Sequence, residues 1–199
     1  MDYNHQNKEL QVFIEKIQKL VKKMSKKSKI EDDFVPKDVP LSGLWCFLAS
    51  FLGTGFFPVA SGTVGSFAAF LGLLIIYSND PSFTISLWYL ILTLMILPIG
   101  AIICQRGEDM WGHDSGKIVF DEVVGMMVTF IFVPVNPAIL FLGFLLFRFF
   151  DIIKAPPGRT IDENMPGGWG VLLDDVMAGI YANLSLQVLV KILMLWRGV

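Results

Sequence analysis

Residues 85–104 read ISLWYLILTLMILPIGAIIC, twenty positions without one charged side chain. At about 1.5 Å of rise per residue, such a run makes a helix of about 30 Å, the thickness of a bilayer's hydrocarbon core. Its length decides the fold class, because a buried helix of a soluble domain rarely needs so long an uncharged stretch.

The segments on either side repeat the pattern. Leu41–Phe57 is apolar but short, and it runs into a Gly-rich stretch from Gly53 to Ser66. Phe67–Tyr77 continues the apolar character. Val119–Val135 and Pro137–Phe150 flank a Pro134–Pro137 turn, and Val171–Trp196 closes the chain. Composition agrees. Hydrophobic residues make up 54% and charged residues 17% of the 199 positions, against roughly 25% charged in a soluble domain. Mean hydropathy is +0.60. The expected fold is all-α, a polytopic integral membrane bundle over residues 41–199.

Residues 1–40 form a separate extension. Leu10, Phe13, Ile14, Ile17, Leu20, Val21 and Met24 recur at helical spacing among lysines, which predicts an amphipathic helix on an anionic membrane surface. A solvated helical extension is the plainer alternative. Residues 1–38 carry nine of the 16 basic residues and seven of the 18 acidic ones. The basic excess is thus a short tail and not a folded face, which argues against nucleic acid as a partner. Cys46 and Cys104 sit in apolar runs without CxxC spacing or a His cluster, so neither zinc nor a disulfide framework is expected.

Orientation follows the distribution of Lys and Arg. The Lys-rich N-terminus and the loops carrying Arg106, Lys117, Lys154 and Arg159 are expected on the cytoplasmic side. The turns Ser78–Thr84 and Pro134–Pro137 carry no basic residue and are expected outside. These agree when Leu41–Phe57 dips into the membrane and returns, a re-entrant or interfacial segment, with Thr63–Tyr77 making the first crossing.

This topology gathers the acids. Ten of the 11 acidic residues after position 38 fall between Glu108 and Asp175. Asp121 and Glu122 open one segment, Asp151 ends another, and Asp174 and Asp175 open the last. Carboxylates brought together repel one another unless a cation or protons hold them. Hard oxygen ligands beside a phosphate suit Mg²⁺. Either acidic pair alone would also serve to stabilise a helix N-terminus. Both pairs together with Asp151 favour a metal site on Asp121, Glu122, Asp174 and Asp175.

Arg148, Asp151 and Lys154 follow at helical spacing in a run otherwise rich in Phe and Leu. A guanidinium there needs a carboxylate or a phosphate, so a helix-end salt bridge and a phosphate contact are both open. Two Gly-rich turns, Ser61 to Ser66 and Gly167 to Gly170, lead into helices whose free N–H groups suit a phosphate. Neither is a Walker A loop, and glycines also allow close helix packing in membranes. His113 is a candidate proton shuttle or substrate contact, though a lone His by a turn is more often structural.

Several of these blocks resemble the phosphatidylglycerophosphatase A family: Gly62-Thr63-Val64-Gly65-Ser66; His113-Asp114 with Ile118 to Gly125; Phe147 to Lys154; and Gly167 to Gly179. They stand in the family's order over more than half of the chain. Two departures are Ala155-Pro156-Pro157-Gly158 after Lys154, where the family has Pro-x-Pro-Ile, and Ser61 where it has Pro before Gly-Thr. Both alter loop stiffness more than charge.

The resemblance implies a Mg²⁺-dependent lipid phosphatase of the bacterial inner membrane. It would convert phosphatidylglycerophosphate in the cytoplasmic leaflet to phosphatidylglycerol and phosphate. Asp121, Asp151, Asp174 and Asp175 become the expected catalytic residues. Thr63, Ser66, His113, Arg148, Lys154 and Gly168 become the expected substrate contacts. Metal-activated water is the expected nucleophile, with an aspartyl-phosphate on Asp121 or Asp174 as the alternative. Other classes are a small ion transporter, which would place acids near mid-span, and a scaffold whose acids only cap helices. A CDP-alcohol phosphatidyltransferase would need Asp-Gly, which does not occur here.

Overall fold

A computed structural model describes residues 42–197, except Asp114 and residues 155, 157, 159–164 and 166. The expected N-terminal amphipathic helix lies outside the described residues. Those residues form six α-helices and no strand. They are α1 (Ser42–Ala49), α2 (Ser61–Asn79), α3 (Leu87–Trp111), α4 (Phe120–Thr129), α5 (Pro137–Ile153) and α6 (Gly168–Arg197). Short 3₁₀ turns at Thr54–Phe56 and Phe83–Ile85 precede α2 and α3.

Length and hydropathy make three of the described helices candidates to cross a membrane: Ser61–Asn79, Leu87–Trp111 and Gly168–Trp196. Local chemistry sets their ends. The Ser86 side chain accepts from Tyr89 N at 3.2 Å to start α3, and Gly112, at φ 91°, ends it. Asn136 caps α5 by accepting from Ile139 N at 2.9 Å, with Pro137 in its first turn. Pro98 sits inside α3 without ending it, as lipid-buried helices tolerate.

The first apolar segment does not cross. The eight residues of α1 span about 12 Å. The chain then turns back through Phe51, Leu52 and Gly53, all at positive φ. The end of α1, before that turn, is fastened to the start of α4, where Val119 N donates to Ala49 O at 2.9 Å.

Val119–Val135 differs from its sequence reading as one apolar crossing. Only ten residues are helical, about 15 Å, half the hydrocarbon thickness. The backbone groups freed at its end find partners inside the protein. Asn183 Nδ2 donates to Thr129 O at 3.0 Å and to Ile131 O at 2.8 Å. Tyr89 Oη donates to Met127 O at 2.8 Å, and Thr84 Oγ1 to Val133 O at 2.7 Å. Non-helical backbone at membrane depth is stable only when buried and satisfied in this way.

Two apolar clusters hold the bundle. One joins α2, α5 and α6 around Phe70, Phe144, Phe147 and Leu186; the other joins α1, α3, α4 and α6 around Cys104, Val124 and Leu172. Glycines bring α4 against α6. A Cβ on Gly179 would stand 2.4 Å from Gly125 O, and one on Gly125 would stand 2.7 Å from Asp175 O. Contact this tight needs residues without side chains, and it sets Asp121 and Glu122 in the first turn of α4 beside Asp175, two turns into α6.

Candidate active site

The starts of α2, α4 and α6 and the end of α5 surround a polar cavity of about 370 Å³. Its lining includes Asp121, Glu122, Arg148, Asp151, Lys154, Asp174 and Asp175, with Ser61, Gly62, Ser115 and Gly116 completing the wall. A larger apolar cavity of about 490 Å³ lies between α5 and α6, lined by Pro134, Ile139, Val190 and Met194 among others. It holds no titratable group, so chemistry belongs to the polar one.

Asp121 and Glu122 occupy the first turn of α4, and Asp175 lies near the start of α6. One carboxylate oxygen from each falls within 4.8 Å of the other two. Asp121 is 7% and Asp175 5% exposed. Glu122 N donates to Asp121 Oδ1 at 3.1 Å, yet Glu122 Oε2 is buried with no hydrogen-bond partner. Three such groups at that separation repel unless a cation or protons intervene, and a buried carboxylate oxygen without a partner on one of them is a ligand atom in want of one. This donor set fits Mg²⁺, which takes few carboxylates and leaves room for phosphate oxygens.

Asp174 leaves α6 about 100° from Asp175 and lines the same cavity. Its Oδ2 accepts from Lys154 Nζ at 2.8 Å. Lys154 ends α5 in the left-handed conformation, φ 49°, and that turn carries its chain toward α6. Arg148 pairs with Asp151 one turn on, and its Nη1 reaches Ser66 Oγ at 3.5 Å. Arg148 Nε is buried with no hydrogen-bond partner. The guanidinium thus bridges α5 and α2 beside the carboxylates.

Other expected contacts are placed differently. Thr63 is in the first turn of α2 but does not line the cavity, whereas Ser61 and Gly62 do. Gly168 packs against α3: its N–H donates to Gln105 Oε1 at 2.9 Å, and a Cβ there would meet Ala101 O at 2.0 Å. Its donor is therefore already in use. His113 pairs with Glu108 and does not line the cavity.

Some residues of the site carry little sequence signal. Ser61 donates to Gly116 O and so joins α2 to the loop before α4. Gln105 fixes the start of α6 from α3. Ser61 heads the Gly-rich turn, but nothing in that pattern marks its partner, and Gln105 belongs to no pattern that marks chemistry.

The sequence model of the phosphatidylglycerophosphatase A family matches residues 47–190. A phosphatidylglycerophosphatase A of Escherichia coli K12 is 34% identical over 160 residues, 74% of this chain and 84% of that protein. One of Haemophilus influenzae is 38% identical over 138 residues, 68% of this chain and 82% of its own length. A Bacteroides thetaiotaomicron protein, provisionally named a phosphatidylinositol-3-phosphatase, is 36% identical over 140 residues, 68% of this chain and 87% of its own length. No solved structure gives a significant match.

Proposed function

Since the chain belongs to the phosphatidylglycerophosphatase A family, we propose that it hydrolyses the terminal phosphomonoester of phosphatidylglycerophosphate, yielding phosphatidylglycerol and phosphate, with Mg²⁺ as cofactor. One observation carries the reading: Asp121, Glu122 and Asp175 converge within 4.8 Å in a cavity that Arg148 and Lys154 also line. Carboxylates and paired cations lining one cavity suit a metal-assisted phosphate site better than a cation path or a cap.

Asp121, Glu122 and Asp175 would hold the metal. When bound, it supplies Lewis-acid stabilisation of phosphoryl oxygens and lowers the pKa of coordinated water. Arg148, with Ser66 and Asp151 fixing its plane, binds the remaining phosphate oxygens. Lys154 shares that charge. The first turn of α2 at Ser61 and Gly62 offers N–H groups that have no helical acceptor. Asp174 stands beside the three-carboxylate group, oriented by Lys154, and accepts the proton of the attacking water. A new P–O bond forms as the ester P–O bond breaks, and the leaving glycerol oxygen takes a proton. Charges held in place by the fold stabilise such a transition state because they need not reorganise.

Lys154 lines the cavity, and Arg106 and Lys117 lie in the segments next to it in sequence; this basic content supports reading the cavity as facing the cytoplasm across a bacterial inner membrane.

The test is phosphate release by detergent-purified protein, with Mg²⁺ and with EDTA, from phosphatidylglycerophosphate, phosphatidylinositol 3-phosphate and phosphatidic acid. Mg²⁺-dependent release, fastest from phosphatidylglycerophosphate, supports the reading. Preference for the inositol lipid would move the head-group assignment. No release from a folded, lipid-supplemented sample would reject it.

A further inference from the structure

The cavity is not lined alike on all sides. Ile118 and Val171, its apolar residues on the α4 and α6 side, are 4% and 6% exposed. Ile152, at the end of α5, also lines it yet is 71% exposed. Facing the other flank, Ala60 lines the cavity and is exposed, and Val59 just before it is 71% exposed. The polar cavity is therefore open where α2 begins and α5 ends, with apolar side chains at the opening.

Those side chains belong to a longer feature. Phe141, Leu145, Phe149 and Ile152 follow at four-, four- and three-residue spacing on α5, one stripe of a helix, and all are exposed. The stripe runs up α5 and stops at the cavity. Beside it, α2 packs on α5 through Phe67 and Phe144, ring centroids 5.9 Å apart. At the inner end of the opening, Arg148 Nη1 contacts Ser66 Oγ across the same two helices. Phosphate-binding groups and a lipid-facing apolar track thus meet at one gap.

We propose that the gap between the start of α2 and the end of α5 is a lateral entry for a glycerolipid, admitting its phosphate head group to the cavity while its acyl chains stay in the bilayer along Ile152, Phe149 and Val59. This rests on the phosphatase reading and adds the path and the chain-contacting residues. An amphiphile needs such a path, because moving its chains into a polar cavity or its phosphate through lipid is costly. Val59 and Ile152 hold the first carbons of the chains, so that only the head group reaches Arg148.

The test uses the full-length protein in nanodiscs and a phosphonate analogue of phosphatidylglycerophosphate, photoreactive at the carboxyl end of one acyl chain. Adducts are expected on Phe57 to Val59 and Phe149 to Ile153, suppressed by excess phosphatidylglycerophosphate. Adducts spread over other exposed apolar positions such as Leu92 and Met95, with no competition, would overturn the proposal. A second readout is the ratio of turnover on long-chain to water-soluble short-chain substrate. It should fall about tenfold in Val59→Ser combined with Ile152→Ser and stay unchanged in Leu195→Ser. An unchanged ratio in the double variant overturns the proposal. Absence of phosphate release from either substrate by the unsubstituted protein would instead count against the phosphatase reading, and the adduct pattern still judges the entry.

Discussion

Gly62 on α2 lies so close to Glu122 on α4 that a Cβ added to it would stand 2.2 Å from Glu122 Oε1 and 3.4 Å from Arg148 Nη1. The carboxylate fills the space a side chain would take, so a methyl group there has to displace it. Gly62→Ala should push Glu122 out of the acidic group and lower turnover about 100-fold, the scale expected of an ångström's misplacement. Gly72→Ala is the control on the same helix. Nothing lies within 4 Å of its added Cβ, so it should keep full activity and melt slightly higher through better helix propensity. Equal turnover in the two variants would remove Glu122 from the site.

The three carboxylates predict opposite effects on stability and activity. Without divalent cation, Asp121, Glu122 and Asp175 destabilise one another at neutral pH, so Asp175→Asn should raise the melting temperature of the metal-free protein. Adding Mg²⁺ should raise the melting temperature of the unsubstituted protein by mass action and leave the variant nearly unmoved. Turnover of the variant should fall at least 100-fold. Differential scanning fluorimetry in detergent, with and without Mg²⁺, checks the first two outcomes.

His113 is 59% exposed at its side chain and paired with Glu108, away from the cavity lining. His113→Ala should keep turnover within about threefold, since a proton-transfer role would be worth roughly 100-fold or more. A pH–rate profile losing a limb in the variant would return His113 to the reaction.

Asn183 holds the carbonyls of Thr129 and Ile131 where the short helix α4 stops. Asn183→Leu leaves both unsatisfied at membrane depth and should cost about 1–2 kcal/mol. A lower melting temperature with normal turnover at low temperature is expected, because Asn183 is far along α6 from Asp175. Normal melting would mean that other groups satisfy the end of α4.

The acidic pairs, Arg148 and Lys154 stood out in the sequence because charge is rare in so apolar a chain and costly near lipid. Which member of each pair faces inward was not legible. Asp121 and Glu122 both reach the group, whereas Asp174 turns to Lys154 and Asp175 inward, a division fixed by how α4 and α6 pack at Gly125 and Gly179. Gly168 reads as a phosphate turn in the sequence, since a glycine before a helix reads the same whether it approaches a ligand or another backbone. In the structure its neighbours are Gln105 and Ala101 on α3.

By itself, the sequence determined the helical membrane class, the segment order and the chemistry available, because apolar run length and the scarcity of charge are local properties. Tertiary structure alone decided that Val119–Val135 stops being helical after Thr129, and that Thr84 and Asn183 supply the missing partners. It also decided that three carboxylates meet beside an opening between α2 and α5. Those outcomes depend on which backbones can touch, and contacts between residues 49 to 54 positions apart leave no periodicity to read.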